Sequence, residues 1–116
     1  MRVSEALDYV VETINESNWT KGAFFEKDGV PYFFLKEAPD NCKACALGHI
    51  ALKLRIEPDE ICERLYQARL SRTYRSLSFD IADVNDRSAD WIDARNRLAE
   101  MADEMRGTDK DVELVQ

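Results

Sequence analysis

The sequence predicts an α+β fold in which about four helices pack around one aromatic β-hairpin. Three observations carry this. Apolar residues recur at helical spacing in several segments, two aromatic runs flank an Asp-Gly step, and residues 42–54 form a mostly apolar stretch suited to a central helix. A chain of 116 residues with 45% hydrophobic composition fits one domain whose core needs no disulfide or metal. The expected organisation is a single globular domain over residues 1–107 followed by a flexible C-terminal tail over residues 108–116.

Each element has a local cause. The first helix is opened by Ser4 as N-cap and carries Leu7, Val10, Val11 and Ile14 at i, i+3, i+4, i+7. The turn-forming residues 15–18 end it. Residues 19–35 read as a hairpin centred on Asp28-Gly29, because a two-residue turn needs positive φ at both positions. That centring sets Phe25 opposite Tyr32, Phe24 opposite Phe33 and Ala23 opposite Phe34, so both faces are apolar and expected to be covered. Pro31 has no N–H to donate and places its strand on an edge.

Residues 38–41 turn into the predicted central helix over 42–54. Its polar members, Lys43, His49 and Lys53, fall within an arc of about 120°, leaving the remainder buried and His49 at the rim. Glu57-Pro58-Asp59 starts a helix with proline in its first turn, carrying Ile61, Leu65 and Ala68 inward to about Leu70. Residues 71–83 admit three readings: an extension of that helix, a loop, or a short strand at 77–81. Asn85-Asp86 or Ser88 caps the longest helix. Its inner stripe is Trp91, Ala94, Leu98, Met101 or Ala102, and Met105, and Gly107 ends it.

Charge and composition narrow the function. Acids outnumber bases 23 to 16, a net charge of −7, which argues against a general nucleic-acid binder. The first residues lack the apolar run of a signal peptide, and no stretch approaches the ~20 apolar residues of a membrane span. Three cysteines, an odd number, are expected to be reduced thiols in a cytoplasm, bacterial or that of a phage host.

The chemically suggestive run is Cys42-Lys43-Ala44-Cys45-Ala46-Leu47-Gly48-His49. On a helix, Cys42, Cys45 and His49 share one side. With Cys62 they could hold zinc, but Cys42 and His49 would stand ~10 Å apart along the axis, too far for one ion without unwinding. Cys45 with His49 could instead serve a Cys-dependent enzyme, although a pair on one helix lacks an orienting third group. The simpler reading makes Cys45 and Cys62 small core residues. No catalytic residue, metal ligand or cofactor is assigned.

Polar segregation is the stronger signal. Residues 64–75 hold four Arg, two Tyr and no acid, whereas residues 80–104 hold eight acids against Arg87, Arg95 and Arg97. Such a pattern steers association. The leading expectation is a small acidic, non-catalytic interaction protein that binds or inhibits a partner protein through residues 64–86. The alternative is a sequestering binder of an anionic small molecule such as a nucleotide. The candidate binding residues are Trp19, Lys21, Arg69, Arg72, Tyr74, Arg75, Asn85 and Asp86. Direct nucleic-acid and membrane contacts are not expected.

Three motifs in order, Trp19-Thr20-Lys21-Gly22-Ala23, Cys45-Ala46-Leu47-Gly48 and Asn85-Asp86, resemble a family of small proteins from actinobacteria and their phages. That family shows a W-x-x-G-A hairpin, a C-A-L-G-A helix and a late N-D step, and has no assigned activity. His49 stands where the pattern has its last Ala. The resemblance covers roughly residues 5–105 and implies a shared fold and a bacterial or phage setting, with the partner then a host protein.

Overall fold

The computed structural model describes residues 1–67 and 77–115. The chain is α+β, and its described residues form five α-helices and a small antiparallel sheet: α1 Val3–Thr13, β1 Phe25–Lys27, β2 Val30–Tyr32, β3 Lys43–Ala44, α2 Ala46–Leu54, α3 Pro58–Gln67, α4 Leu77–Arg87 and α5 Trp91–Met105. Strand order is β2-β1-β3. No helix among the described residues is long and apolar enough to cross a membrane.

The hairpin forms about the Asp-Gly step, with Asp28 at φ 53° and Gly29 at φ 83°. Phe25 pairs with Tyr32 as the sequence predicts, and β2, which carries Pro31, is an edge strand. The ladder is shorter than expected and its second strand is not covered on both faces. Phe33 and Phe34 lie beyond it and remain exposed.

The predicted helix over 42–54 is the principal correction. Its first residues are extended: Lys43–Ala44 is β3, pairing Phe25 with Ala44 and Glu26 with Lys43. The Ala44 N–H donates to the Asn18 carbonyl at 2.8 Å, and the Ala44 carbonyl accepts from Thr20 N–H at 3.2 Å. These long-range bonds outweigh the local apolar pattern. Cys45 becomes the N-cap of α2, its sulfur accepting weakly from Gly48 N–H at 3.5 Å. The hub itself holds, since Leu47, Ile50 and Ala51 are buried and α2 touches α1, α3, α4 and β3. His49 is buried in it rather than at a rim.

Helix α4 settles the described part of the ambiguous stretch. Its inner stripe is Leu77, Ile81 and Asn85, with Ser88 one turn on, all buried. Polar members in that stripe mask its periodicity. Asn85 and Asp86 therefore lie in the last turn of α4 and do not cap α5. Asp90 does so, accepting from Asp93 N–H at 2.8 Å, while Asp93 accepts from Ala89 N–H at 2.9 Å. In α1 the N-cap is Arg2, whose N–H donates to Glu5 at 2.8 Å. Ser4 lies inside the helix instead. Its N–H and hydroxyl both donate to the Asp111 carboxylate at 2.8 Å.

That contact fixes the C-terminal segment, which was expected to be loose. Val3 N–H donates to Val112 O at 3.0 Å and Leu114 N–H to Met1 O at 2.9 Å. The Leu114 side chain is buried, and Arg64 donates to its carbonyl. With α1 packed along α5, the two ends of the chain close one core.

Gly48 lies in tight contact with the backbone that leads into β1. A Cβ there would stand 2.2 Å from the Phe24 carbonyl oxygen, a backbone atom that cannot swing aside. Gly48→Ala is therefore expected to destabilise the fold by about 2–4 kcal/mol in urea unfolding. An unchanged midpoint would mean that β1 can retreat from α2 at little cost.

Candidate functional site

The segments around Trp19, Cys45 and Asn85 meet at one junction, and its centre is a buried amide. Asn85 is fully buried. Its Oδ1 accepts from Trp19 Nε1–H at 2.9 Å and from Ala46 N–H at 3.0 Å. Its Nδ2 donates to Thr20 O at 3.1 Å and Asp86 Oδ1 at 3.3 Å. One side chain thus joins the lead into the hairpin, the start of α2 and the end of α4. Among the described residues no buried side-chain nitrogen or oxygen lacks a partner.

The neighbours are engaged as well. Lys21 Nζ donates to Ser88 O at 3.0 Å, and Gly22 N–H donates to Asp86 Oδ1 at 3.1 Å. Of the sequence-derived candidates, Trp19, Lys21, Asn85 and Asp86 come together here. Arg69, Arg72, Tyr74 and Arg75 lie outside the described residues.

The thiols and the imidazole are positioned by packing. Burial pushes the Cys45 thiol up to about 12. Such a group is overwhelmingly protonated at neutral pH and a poor nucleophile. Burial also raises Cys42 and Cys62. His49 Nε2 lies 3.0 Å from the Asn18 carbonyl, so its N–H donates there. Cys42 lies just before β3, not on a shared helical face with Cys45 and His49. No group of three or more His, Cys, Asp or Glu suited to a metal ion occurs among the described residues.

Beside the junction opens a cleft of about 230 Å³ lined by Gly22, Ala23, Phe24, Phe33, Cys45, Leu47, Ala82 and Asp86. Its walls are mostly apolar, with Asp86 at the mouth. Phe33, one of its walls, is 53% exposed, and two further apolar side chains of the hairpin segment are exposed as well, Val30 at 49% and Phe34 at 43%. The expectation that both faces of the hairpin are covered therefore fails at these residues. The available signal was Pro31, which marks an edge with no further strand to shelter its neighbours. No protein-family model matches the sequence, and comparison with curated proteins and with solved structures finds no match.

Two outcomes test this description. Asn85→Asp keeps the shape and both bonds to Oδ1, but replaces the Nδ2 donor with an acceptor facing the Thr20 carbonyl and the Asp86 carboxylate. It should cost about 3 kcal/mol or more, whereas Trp19→Phe, which leaves Oδ1 bonded to Ala46, should cost about 1 kcal/mol. Equal, small losses in chemical unfolding would remove the amide from its central role.

His49 gives a pH dependence. Burial holds its imidazole below the usual 6.5. Below that value the unfolded chain takes up a proton that the native state resists, so stability falls with decreasing pH until the native imidazole itself titrates. Urea unfolding at about pH 7.5 and about pH 5 should show a larger acid loss in the wild type than in His49→Gln. An identical loss in both would contradict it.

Proposed function

We propose that the chain is a non-catalytic interaction protein that docks a partner protein through its hairpin, with an apolar side chain of the partner entering the cleft beside Phe33. The observation that carries this is the exposure of Phe33 at the wall of that cleft, with Val30 and Phe34 exposed on the same hairpin segment. A large apolar side chain exposed at the wall of an apolar cleft marks a contact site, since leaving both in water is unfavourable. The junction beside Phe33 has its hydrogen bonds satisfied within the chain, which favours a surface already ordered before a partner arrives.

Other features support the same class. The polar groups of Asn85, Trp19 and Lys21 all bond within the chain, so Trp19 and Lys21 lend nothing specific to an anionic-ligand site. Of the segment over residues 64–86, Arg64 is tied to Glu60 at 2.8 Å and to the Leu114 carbonyl. The resemblance to actinobacterial and phage proteins supports a bacterial setting, and a host protein as the partner to be bound or inhibited.

The test is a double substitution. Phe33→Ser with Phe34→Ser should leave the circular dichroism spectrum and unfolding midpoint near wild type, because neither side chain belongs to the core. It should abolish recovery of a partner that the wild type captures at near-stoichiometric level from bacterial lysate. Equal recovery by both proteins, or no stoichiometric partner for the wild type, would overturn the proposal.

A further inference from the structure

Helix α4 has a second exposed flank. At 100° per residue, Ala82 and Asp86 face the hairpin cleft, while Leu77, Asp80, Asp83 and Val84 point to the other side. There they face Met101, Glu104 and Met105 of α5, with residues 108–110 closing one end, across a groove of about 630 Å³. That size lies within the ~300–1,000 Å³ of ordinary binding clefts.

The groove is built in two layers. Its floor is apolar, with Leu77 and Met105 buried and Val84 and Met101 half-buried. Its rim carries Asp80, Asp83, Glu104 and Asp109 against Lys110. Asp83 pairs with Arg87 at 2.9 Å, and among the described residues Asp80, Glu104 and Asp109 make no ion pair. Uncompensated carboxylates around an apolar floor favour an occupant that is itself two-faced, with apolar groups inward and cations outward.

We propose that this groove docks an amphipathic basic helix of a partner protein. From Leu77 to Val84, α4 offers a wall of ~10 Å, about two helical turns, which suits apolar anchors at i, i+3 or i+4 and i+7. Met101 and Met105 supply flexible, polarisable side chains that adapt to such anchors. Lysine or arginine on the flanks of the docked helix meets Asp80 and Glu104. The net charge of −7 favours its approach. This surface is independent of the hairpin cleft, because α4 stands between the two.

The probe is a short fluorescein-labelled peptide of Leu and Lys with leucines at helical spacing, titrated into the full chain and followed by anisotropy. Binding should weaken with salt. It should fall at least about tenfold for Asp80→Lys with Glu104→Lys, and fall likewise for a peptide of the same composition whose spacing is scrambled. Glu12→Lys with Glu16→Lys makes the same change of net charge outside the groove and should have little effect.

Several results would overturn the proposal: no binding, equal binding of the scrambled peptide, or an equal loss with the distant pair. A dimer in sedimentation that disappears in Asp80→Lys with Glu104→Lys would assign the groove to a second copy. Tenfold tighter peptide binding by Arg69→Ser, Arg72→Ser, Arg75→Ser would assign it to the chain's own arginines. Phe33→Ser with Phe34→Ser should bind the peptide like wild type, which separates this groove from the hairpin surface.

Discussion

The fold depends on a single buried carboxamide. The Ala46 N–H at the start of α2 is buried and the Thr20 carbonyl in the lead to the hairpin is half-buried, and such groups must find a partner or destabilise the structure. Asn85 supplies one acceptor and one donor group in a fixed plane, matching two donors on one side and two acceptors on the other. Aspartate lacks the donor, and an apolar residue lacks both. A full complement of bonds to a buried side chain rigidifies what it joins.

From that constraint the remaining geometry follows. With Trp19 tied to α4 and Ala44 paired to both Asn18–Thr20 and β1, the sheet lies against α2, close enough that position 48 has no room for a Cβ. The buried edge of the sheet is thereby used up, and the opposite edge, β2, faces water with its aromatic continuation. Exposure of Phe33 and Phe34 is thus a consequence of which edge the junction consumes. The thiol of Cys45 and the imidazole of His49 serve the same packing, one as a weak cap and one as a donor to Asn18.

Local chemistry made some of this legible in the sequence. Asp28-Gly29 set the hairpin register, Pro31 its edge and Gly107 the end of α5. What was not legible depended on distant partners. Residues 42–45 look helical on their own, and become strand and cap because Asn18, Thr20 and Phe24 offer bonds from elsewhere in the chain. Asn85 and Ser88 interrupt the apolar stripe of α4, so its period was hidden by the same polar residues that matter most. Leu114 and Asp111 gave no local sign of packing, since the groups they meet, Met1 and Ser4, stand at the opposite end of the sequence. The site candidates Trp19, Lys21, Asn85 and Asp86 were chosen for binding, and what unites them is the junction.

Native-state hydrogen exchange at two protons reads this junction most directly: the Ala46 amide and the Trp19 indole N–H, both donated to Asn85 Oδ1. If the carboxamide fastens hairpin, hub and α4 together, both protons should exchange only through global unfolding, with protection matching the unfolding free energy. Exchange of either proton by fast local opening, while Ile50 and Leu98 amides stay protected, would contradict that account and leave the junction a surface contact on an independently stable core.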